Sequence, residues 1–408
     1  MNRTSKLLGA TALGVSLVAA CHNDELFRPG VVLRQNPLFE RYVSMGNSIT
    51  SGFQSGGIND SVQRQSYASL LADRLQTVFF LPLMNRPGCP PPIDTLFTAT
   101  GVPHRVGGGT AATCALRQAQ PVPPPYISNT AVPGAEIEDG VSNSPGNSNA
   151  LTTFFLGGLT QAEMMRRVDP TFITVWLGNN DVLGAATNSA DAGDTTRITD
   201  STAFAASYDA VLDEIDNTPA SGHGVLIGIA NVTLIPFFSQ GQVYFSIKNT
   251  TANFPANFLV GPNCAPSALG GKGDSVLVPF QFGLGLIGQA RANPTGTYTL
   301  TCTEAQTVQP RELQRLVQAV GQYNATIQAR ATARGYAYVD PNQLFAALPP
   351  GSIPPFPSTS GATAVSAPFG TYFSRDGVHP SALAHKLVAN ALIQATNAEY
   401  GTAIQPIP

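Results

Sequence analysis

The sequence has few charged residues for its length. Of 408 residues, 22 are Lys or Arg and 25 are Asp or Glu, so that 12% are charged, whereas soluble domains average about 25%. The formal net charge is −3, and no cluster of Lys and Arg forms the basic stripe that is typical of nucleic-acid binding. We therefore expect a weakly acidic protein with no nucleic-acid partner.

The sequence also lacks an apolar run of the ~20 residues that a membrane-spanning helix needs. The apolar run Leu7–Ala20 follows Arg3 and Lys6 and fits a secretory signal peptide. It leads into the letters LVAAC, which resemble a bacterial lipobox. Such a signal is cut before its cysteine, and the cysteine then carries lipid.

We therefore expect residues 1–20 to be a lipoprotein signal peptide, Cys21 to be lipidated, and residues 21–38 to form a tether. The predicted location is the bacterial cell envelope, at the outer membrane or cell surface, with the lipid anchor as the only membrane contact. His22 after the cysteine resembles lipoproteins that travel to the outer membrane. An ordinary signal peptide with a chance cysteine is the alternative.

Cysteines are few, and their spacing excludes the usual zinc sites. The chain has five, and no C-x₂-C pair or nearby histidine cluster is present. Without Cys21 an even number remains, which in an exported chain predicts disulfides. Three pairings are possible, and loop closure is easiest between near neighbours. We prefer Cys89–Cys114 and Cys264–Cys302.

Strand-length apolar runs alternate with helix-period segments along the chain. The predicted strands are 41–46, 125–132, 171–178, 224–232 and 335–340, and the predicted helices are 66–76, 159–168, 201–216, 310–334 and 380–400. This alternation is typical of a parallel sheet with helices on both faces. The prediction is an α/β fold, a three-layer α/β/α sandwich with a five-stranded, flavodoxin-like parallel sheet.

Two stretches rich in glycine and proline interrupt the alternation, 82–124 and 236–308. Each holds one preferred cysteine pair, and we interpret both as disulfide-containing insertions into a single domain, 39–408. Their apolar pieces, 79–83 and 278–288, either contact an acyl chain at the site or only cover the core. The sequence leaves both interpretations open.

A serine stands where the first predicted strand ends, in the letters MGNSITSG. A serine at such a place is most often a helix N-cap, which accepts a hydrogen bond from a backbone N–H. Ligands of open parallel sheets, however, bind at the carboxyl ends of the strands. Ser48 is therefore either a cap or a candidate nucleophile.

A candidate base lies near the C-terminus, in the letters DGVHP. Asp376, three residues before His379 on a tight turn, can reach the imidazole Nδ1 and leave Nε2 free as a general base. His104 and His223 have no carboxylate at comparable spacing, and we expect His385, inside the last predicted helix, to be a surface or packing residue.

Donors for a developing oxyanion follow two further strands. Gly134, in the letters NTAVPGA, can present a backbone N–H from a tight turn, and Asn180, in GNND, can donate a side-chain N–H without carrying charge. The alternative for the asparagine is a turn or capping role.

The four short motifs together resemble those of SGNH hydrolases, members of the GDSL esterase/lipase superfamily. They are MGNSITSG, NTAVPGA, GNND and DGVHP, in that order. Two positions depart from the family name, since Asn47 stands where Asp is usual and Ile49 where Leu is usual. Neither position supplies the attacking atom.

The resemblance implies a serine esterase or lipase. Ser48 would be the nucleophile, His379 the base and Asp376 its orienting carboxylate. The backbone N–H groups of Ser48 and Gly134 and the side chain of Asn180 would form the oxyanion hole. The implied substrate is an ester of a lipid or an acylated carbohydrate, with no metal and no cofactor. The alternative is a catalytically silent, surface-anchored ligand-binding lipoprotein on the same fold.

Overall fold

A parallel β-sheet organises the structure, a computed structural model that describes residues 36–98, 100–119, 124–143, 149, 151–250 and 254–408. The predicted signal peptide and Cys21 lie outside the described residues. Residues Pro37–Pro408 form one compact unit. None of the helices in these ranges has both the length and the apolar character that crossing a membrane requires.

The strands of the described ranges are β1 (Tyr42–Gly46), β2 (Ile93–Thr95), β3 (His104–Arg105), β4 (Phe172–Trp176), β5 (Gly224–Ile227), β6 (Phe238–Gln240), β7 (Phe258–Val260), β8 (Leu277–Pro279), β9 (Tyr298–Leu300) and β10 (Ala337–Val339).

The α-helices of the same ranges are α1 (Ser48–Ser51), α2 (Asp60–Gln63), α3 (Tyr67–Leu75), α4 (Leu151–Leu156), α5 (Gln161–Val168), α6 (Asn180–Ala186), α7 (Ser201–Asp216), α8 (Gly241–Thr250), α9 (Phe280–Ala292), α10 (Pro310–Arg334), α11 (Pro341–Ala346), α12 (Gly361–Ser366) and α13 (Ala382–Tyr400).

The central sheet has four strands in the order β1-β4-β5-β10, all parallel. The predicted fifth strand, 125–132, forms one isolated parallel bridge to β1, between Asn129 and Ser44. Its backbone does not keep one partner, because the N–H groups of Ser128 and Asn129 donate to Phe80 O and not to β1. Four of the five predicted strands therefore form the sheet, and the segment 125–132 lies beside β1 without completing a regular fifth strand.

Helices cover both faces of the sheet, as predicted. On one face Val43, Met45 and Val175 pack in a core cluster with side chains of α5, α7 and α10. On the other face Tyr42 and Phe172 pack with side chains of α3 and α13. The side chains of β1 thus alternate between two cores, which is why its residues are all buried. An α/β fold with helices on both faces is confirmed.

The two predicted insertions each contain a disulfide. Cys89–Cys114 closes the first, which carries the antiparallel hairpin β2–β3. Cys264–Cys302 closes the second, which carries two small two-stranded sheets and a hydrophobic cluster of its own, around Tyr244 and Phe258. Both preferred pairings are confirmed.

The apolar pieces of these regions cover the core. Phe79 stacks on Tyr42 with ring centroids 5.0 Å apart, and Phe280 belongs to the main core cluster. The structure therefore favours the core-covering interpretation over contact with an acyl chain.

His385 of α13 is fully buried against α3, which excludes the surface alternative. Its Nδ1 accepts a hydrogen bond from the Tyr67 backbone N–H at 3.2 Å. Burial, and secondarily the charge of His379, lowers the pKa of His385 to about 3. The ring is therefore neutral in the folded protein at any pH near 7.

This burial predicts an acid-dependent loss of stability. The unfolded chain binds a proton at His385 below its usual pKa of about 6.5, whereas the folded state does not until about 3. The contribution of His385 to stability is therefore present above pH 6.5 and is lost as the pH drops toward 3. Between pH 7.5 and 5 we expect His385 to account for about 2 kcal/mol of lost unfolding free energy.

Urea unfolding of wild type and His385→Gln at pH 7.5 and pH 5 measures this contribution to the unfolding free energy. Gln can still accept from Tyr67 N–H but cannot titrate, so its loss of stability should be smaller by that amount. Equal losses in the two proteins would contradict the assignment.

Candidate active site

Ser48 lies at the carboxyl end of β1, at the start of α1. The N-cap of α1 is Asn47, whose Oδ1 accepts from Ile49 N–H at 3.1 Å. Ser48 is therefore not the cap, and its hydroxyl is free for another partner. A Cβ at Gly46 would lie 2.1 Å from Thr50 Oγ1, so the sharp turn requires glycine.

Gln161, at the start of α5, holds the end of β1 in place. Its Oε1 accepts from Gly46 N–H and its Nε2 donates to Gly46 O, both at 2.9 Å. Gln161 is fully buried. It thus satisfies the last backbone groups of the strand before Ser48, a role that its sequence position inside a helix did not indicate.

The structure brings Ser48, His379 and Asp376 together. Ser48 Oγ lies 2.9 Å from His379 Nε2, and His379 Nδ1 lies 2.8 Å from Asp376 Oδ2. The Phe53 ring packs beside the imidazole, with centroids 4.9 Å apart. If Nδ1 carries the proton and donates it to the carboxylate, Nε2 accepts from the Ser48 hydroxyl. This chain of bonds can move a proton from Ser48 to His379.

The Asp376 carboxylate accepts five hydrogen bonds. Its Oδ1 accepts from Ser374 Oγ at 3.1 Å and from the Val378 and His379 N–H groups, both at 2.9 Å. Its Oδ2 accepts from Gly56 N–H at 2.6 Å and from His379 Nδ1. Such saturation fixes the orientation of the carboxylate and therefore of the imidazole.

These contacts also keep Asp376 ionised. Burial by itself would raise the pKa of its carboxyl, but the charge of His379 and the hydrogen bonds from His379 and Val378 outweigh that effect and hold the pKa at about 2. A charged carboxylate accepts from Nδ1–H at any pH at which the protein is expected to work.

Both insertions support the Asp376 turn from outside. Arg105 of the first insertion donates from Nη1 to Gly56 O at 2.8 Å and to Pro91 O at 2.6 Å. Phe237 of the second donates its N–H to Gly377 O at 2.8 Å. Gly377 has φ +71°, and a Cβ there would meet Phe237 N at 3.1 Å. The insertions thus position the site.

The Asn180 side chain bonds the turn that contains Gly134. Asn180 Nδ2 donates one proton to Ala135 O at 2.8 Å, which leaves its second proton available. Gly134 has φ +81° and lies one residue before that carbonyl. Within the described ranges, neither the Gly134 N–H nor the Ser48 N–H donates to another protein atom. Three donors thus remain for an outside acceptor.

A cavity of about 90 Å³ adjoins these groups. Ser48, Asn180 and His379 line it, whereas Gly134 is not among its lining residues. The remaining walls come from α1, the end of β4, the start of α6, the loop after β5, α11, the 372–380 segment and α13. None of the described residues of the two predicted insertions contributes a wall.

Other polar groups offer fewer possibilities. Within the described ranges, no group of three or more His, Cys, Asp or Glu side chains could hold a metal ion. His104 lies 2.6 Å from Asp94 across the β2–β3 hairpin, a pair that sequence spacing did not reveal, but both side chains are largely exposed.

No protein-family model matches the chain, and no significantly similar sequence was found among curated proteins. Solved structures with a similar course of the chain include an acetylxylan esterase from Geobacillus stearothermophilus, at TM-score 0.38 and 12% identity, covering 90% of this chain and 97% of that one. A GDSL-like lipase from Parabacteroides merdae has a TM-score of 0.37 and 11% identity, and the match covers 89% of this chain and 98% of that one. An extracellular lipase from Streptomyces rimosus has a TM-score of 0.33 and 14% identity, and the match covers 88% of this chain and 97% of that one.

Proposed function

We propose that the chain is a serine esterase or lipase that hydrolyses carboxylic esters through Ser48, His379 and Asp376. The observation that carries the proposal is the pair of hydrogen bonds from Ser48 Oγ to His379 Nε2 and from His379 Nδ1 to Asp376, 2.9 and 2.8 Å long. The motif resemblance to SGNH hydrolases agrees with the same roles.

The proposed reaction has two halves. Ser48 Oγ bonds to the ester carbonyl carbon as its proton moves to His379 Nε2, and the carbonyl oxygen becomes an oxyanion. The oxyanion then expels the alcohol, which takes the proton from His379, and an acyl-enzyme remains. Water, deprotonated by His379, attacks the acyl carbon, and the acid leaves as Ser48 regains its proton.

The oxyanion hole is formed by the N–H groups of Ser48 and Gly134 and the free Nδ2 proton of Asn180. The lack of protein acceptors for these donors within the described ranges supports the assignment. The Asn180 bond to Ala135 O fixes the side chain before substrate arrives, so that little reorganisation accompanies the reaction. Lipid esters and acylated carbohydrates are both substrates that this chemistry permits.

Removing the proposed nucleophile should abolish hydrolysis. We expect Ser48→Ala to lower kcat for p-nitrophenyl acetate by at least 10³-fold, since no other group supplies the attacking atom. Ser239→Ala is the matched control, because Ser239 is also buried, lies in β6 and has no hydrogen-bond partner for its Oγ among the described residues.

The control should keep wild-type activity. If wild type hydrolyses no ester on a broad panel and still binds ligands, the silent binding-protein alternative is correct. If Ser48→Ala retains activity, the nucleophile is assigned wrongly.

Removing one oxyanion donor should affect the chemical step more than binding. We expect Asn180→Ala to lower kcat by about 10²–10³-fold with a small change in KM. In Asn217→Ala, the control, the lost side chain also donates to a backbone carbonyl, Asp213 O at 2.8 Å, but at the exposed end of α7. A kcat of Asn180→Ala within threefold of wild type would remove Asn180 from the hole.

We further propose that the protein is exported and anchored to the bacterial envelope by lipid on Cys21. Two disulfides support an oxidising compartment. Mass spectrometry of the mature N-terminus should find a lipid-modified Cys21, and Cys21→Ser should move the protein from the membrane fraction to the soluble one. A mature chain that begins elsewhere, without lipid, would contradict the anchor.

A further inference from the structure

The cavity beside Ser48 is lined mostly by apolar side chains. Its polar lining residues are the site groups themselves, such as Asn47, Ser48 and His379, together with Tyr372. Of the residues that the structure describes, no Asp, Glu, Lys or Arg lines the cavity. The other walls are apolar, and they include Leu183, Ile235, Leu344 and Phe345, from three different segments.

These walls exclude a sugar from the interior of the cavity. A carbohydrate hydroxyl buried there would lose its water and find few partners, which is costly. An alkyl chain, in contrast, gains by contact with every apolar wall. The apolar part adjoins Ser48, and the acyl group is the part of the ester that stays bonded to Ser48 in the acyl-enzyme while the alcohol leaves. The acyl chain is therefore the group that this part of the cavity suits.

The cavity extends from the interior to the surface. Val232 is 3% exposed and Ile235 6%, whereas Leu387 on α13 is 36% exposed. Its volume is about 90 Å³, several times the roughly 10–15 Å³ that one water molecule needs by this measure. An acetyl group would leave most of this space without a ligand.

We propose that this cavity is an acyl-binding site and that the substrates are esters of fatty acids with an alkyl chain longer than that of acetate. The inference rests on the proposed ester hydrolysis and adds to it the identity of the acyl group. In this proposal the alcohol part of the ester lies outside the cavity, so the cavity walls do not select it.

The first test measures kcat/KM of wild type on p-nitrophenyl esters from acetate to palmitate. Each buried methylene contributes up to about fourfold, so we expect octanoate to exceed acetate by at least 30-fold. Acetate preferred over octanoate, or equal to it, would overturn the acyl-site proposal while leaving the esterase proposal intact.

The second test places a charge in the apolar wall. Leu387→Asp should lower the octanoate-to-acetate ratio of kcat/KM at least tenfold, because an ionised carboxylate beside an alkyl chain is unfavourable. Leu383→Asp is the matched control, since Leu383 is on the same helix one turn earlier, is 43% exposed and does not line the cavity. An unchanged ratio in Leu387→Asp, or an equal fall in both variants, would contradict the site.

The third test needs no turnover. Trp176 is the only tryptophan of the chain and lines the cavity, so its fluorescence reports directly on a ligand there. In Ser48→Ala, methyl 8-bromooctanoate should quench it saturably, and methyl octanoate should reverse the quenching. Absence of saturable quenching would overturn the acyl site. Quenching without any ester hydrolysis by wild type would retain the site and overturn only the esterase proposal.

Discussion

A buried carboxylate that must stay charged is the constraint on which the rest of the site depends. Only 13% of the Asp376 side chain is exposed to solvent, and an unpaired charge with so little hydration would be unfavourable. Five donors, from the Gly56 turn, Ser374 and the Val378–His379 backbone and ring, supply what water would have supplied. Because every lone-pair direction is used, the carboxylate cannot turn, and His379 keeps one ring orientation toward Ser48.

The fold brings the residues of the candidate active site together from distant parts of the chain. Ser48 comes from the end of β1, and the Asp376–His379 turn precedes α13. Helix α13 packs on one face of the sheet, and α10 packs on the other face. The two disulfide-containing insertions then act on the turns that flank the carboxylate, through Arg105 and Phe237. The described walls of the cavity come instead from the core fold. The insertions therefore hold the turns that position the catalytic groups, and the core fold forms the cavity.

Local sequence patterns predicted the elements whose causes are local. Helices α7 and α10 have the predicted bounds, because their apolar periodicity, the Asp200 cap and Gly335 specify them. The spacing of Asp376 and His379 was sufficient to place their side chains together. The cysteine pairs were also correct, since each closes a short loop.

Contacts that join distant segments could not be predicted in this way. Nothing in the letters around Gln161, Gly56 or Arg105 shows that they serve Gly46 or Asp376, because those contacts exist only after folding. Ser374 and Val378, each two residues from Asp376, are supporting residues that local sequence could have suggested. The segment 125–132 has the composition of a strand, but its backbone groups divide between β1 and Phe80.

The most direct test of the central claim is the rate at which a serine-directed phosphonate labels the protein, with the labelled residue identified by peptide mapping. We expect stoichiometric labelling of Ser48, slowed by about 10³–10⁴-fold in Asp376→Asn, since an amide cannot hold His379 in the required tautomer. Labelling at another serine, or an unchanged rate in Asp376→Asn, would contradict the account.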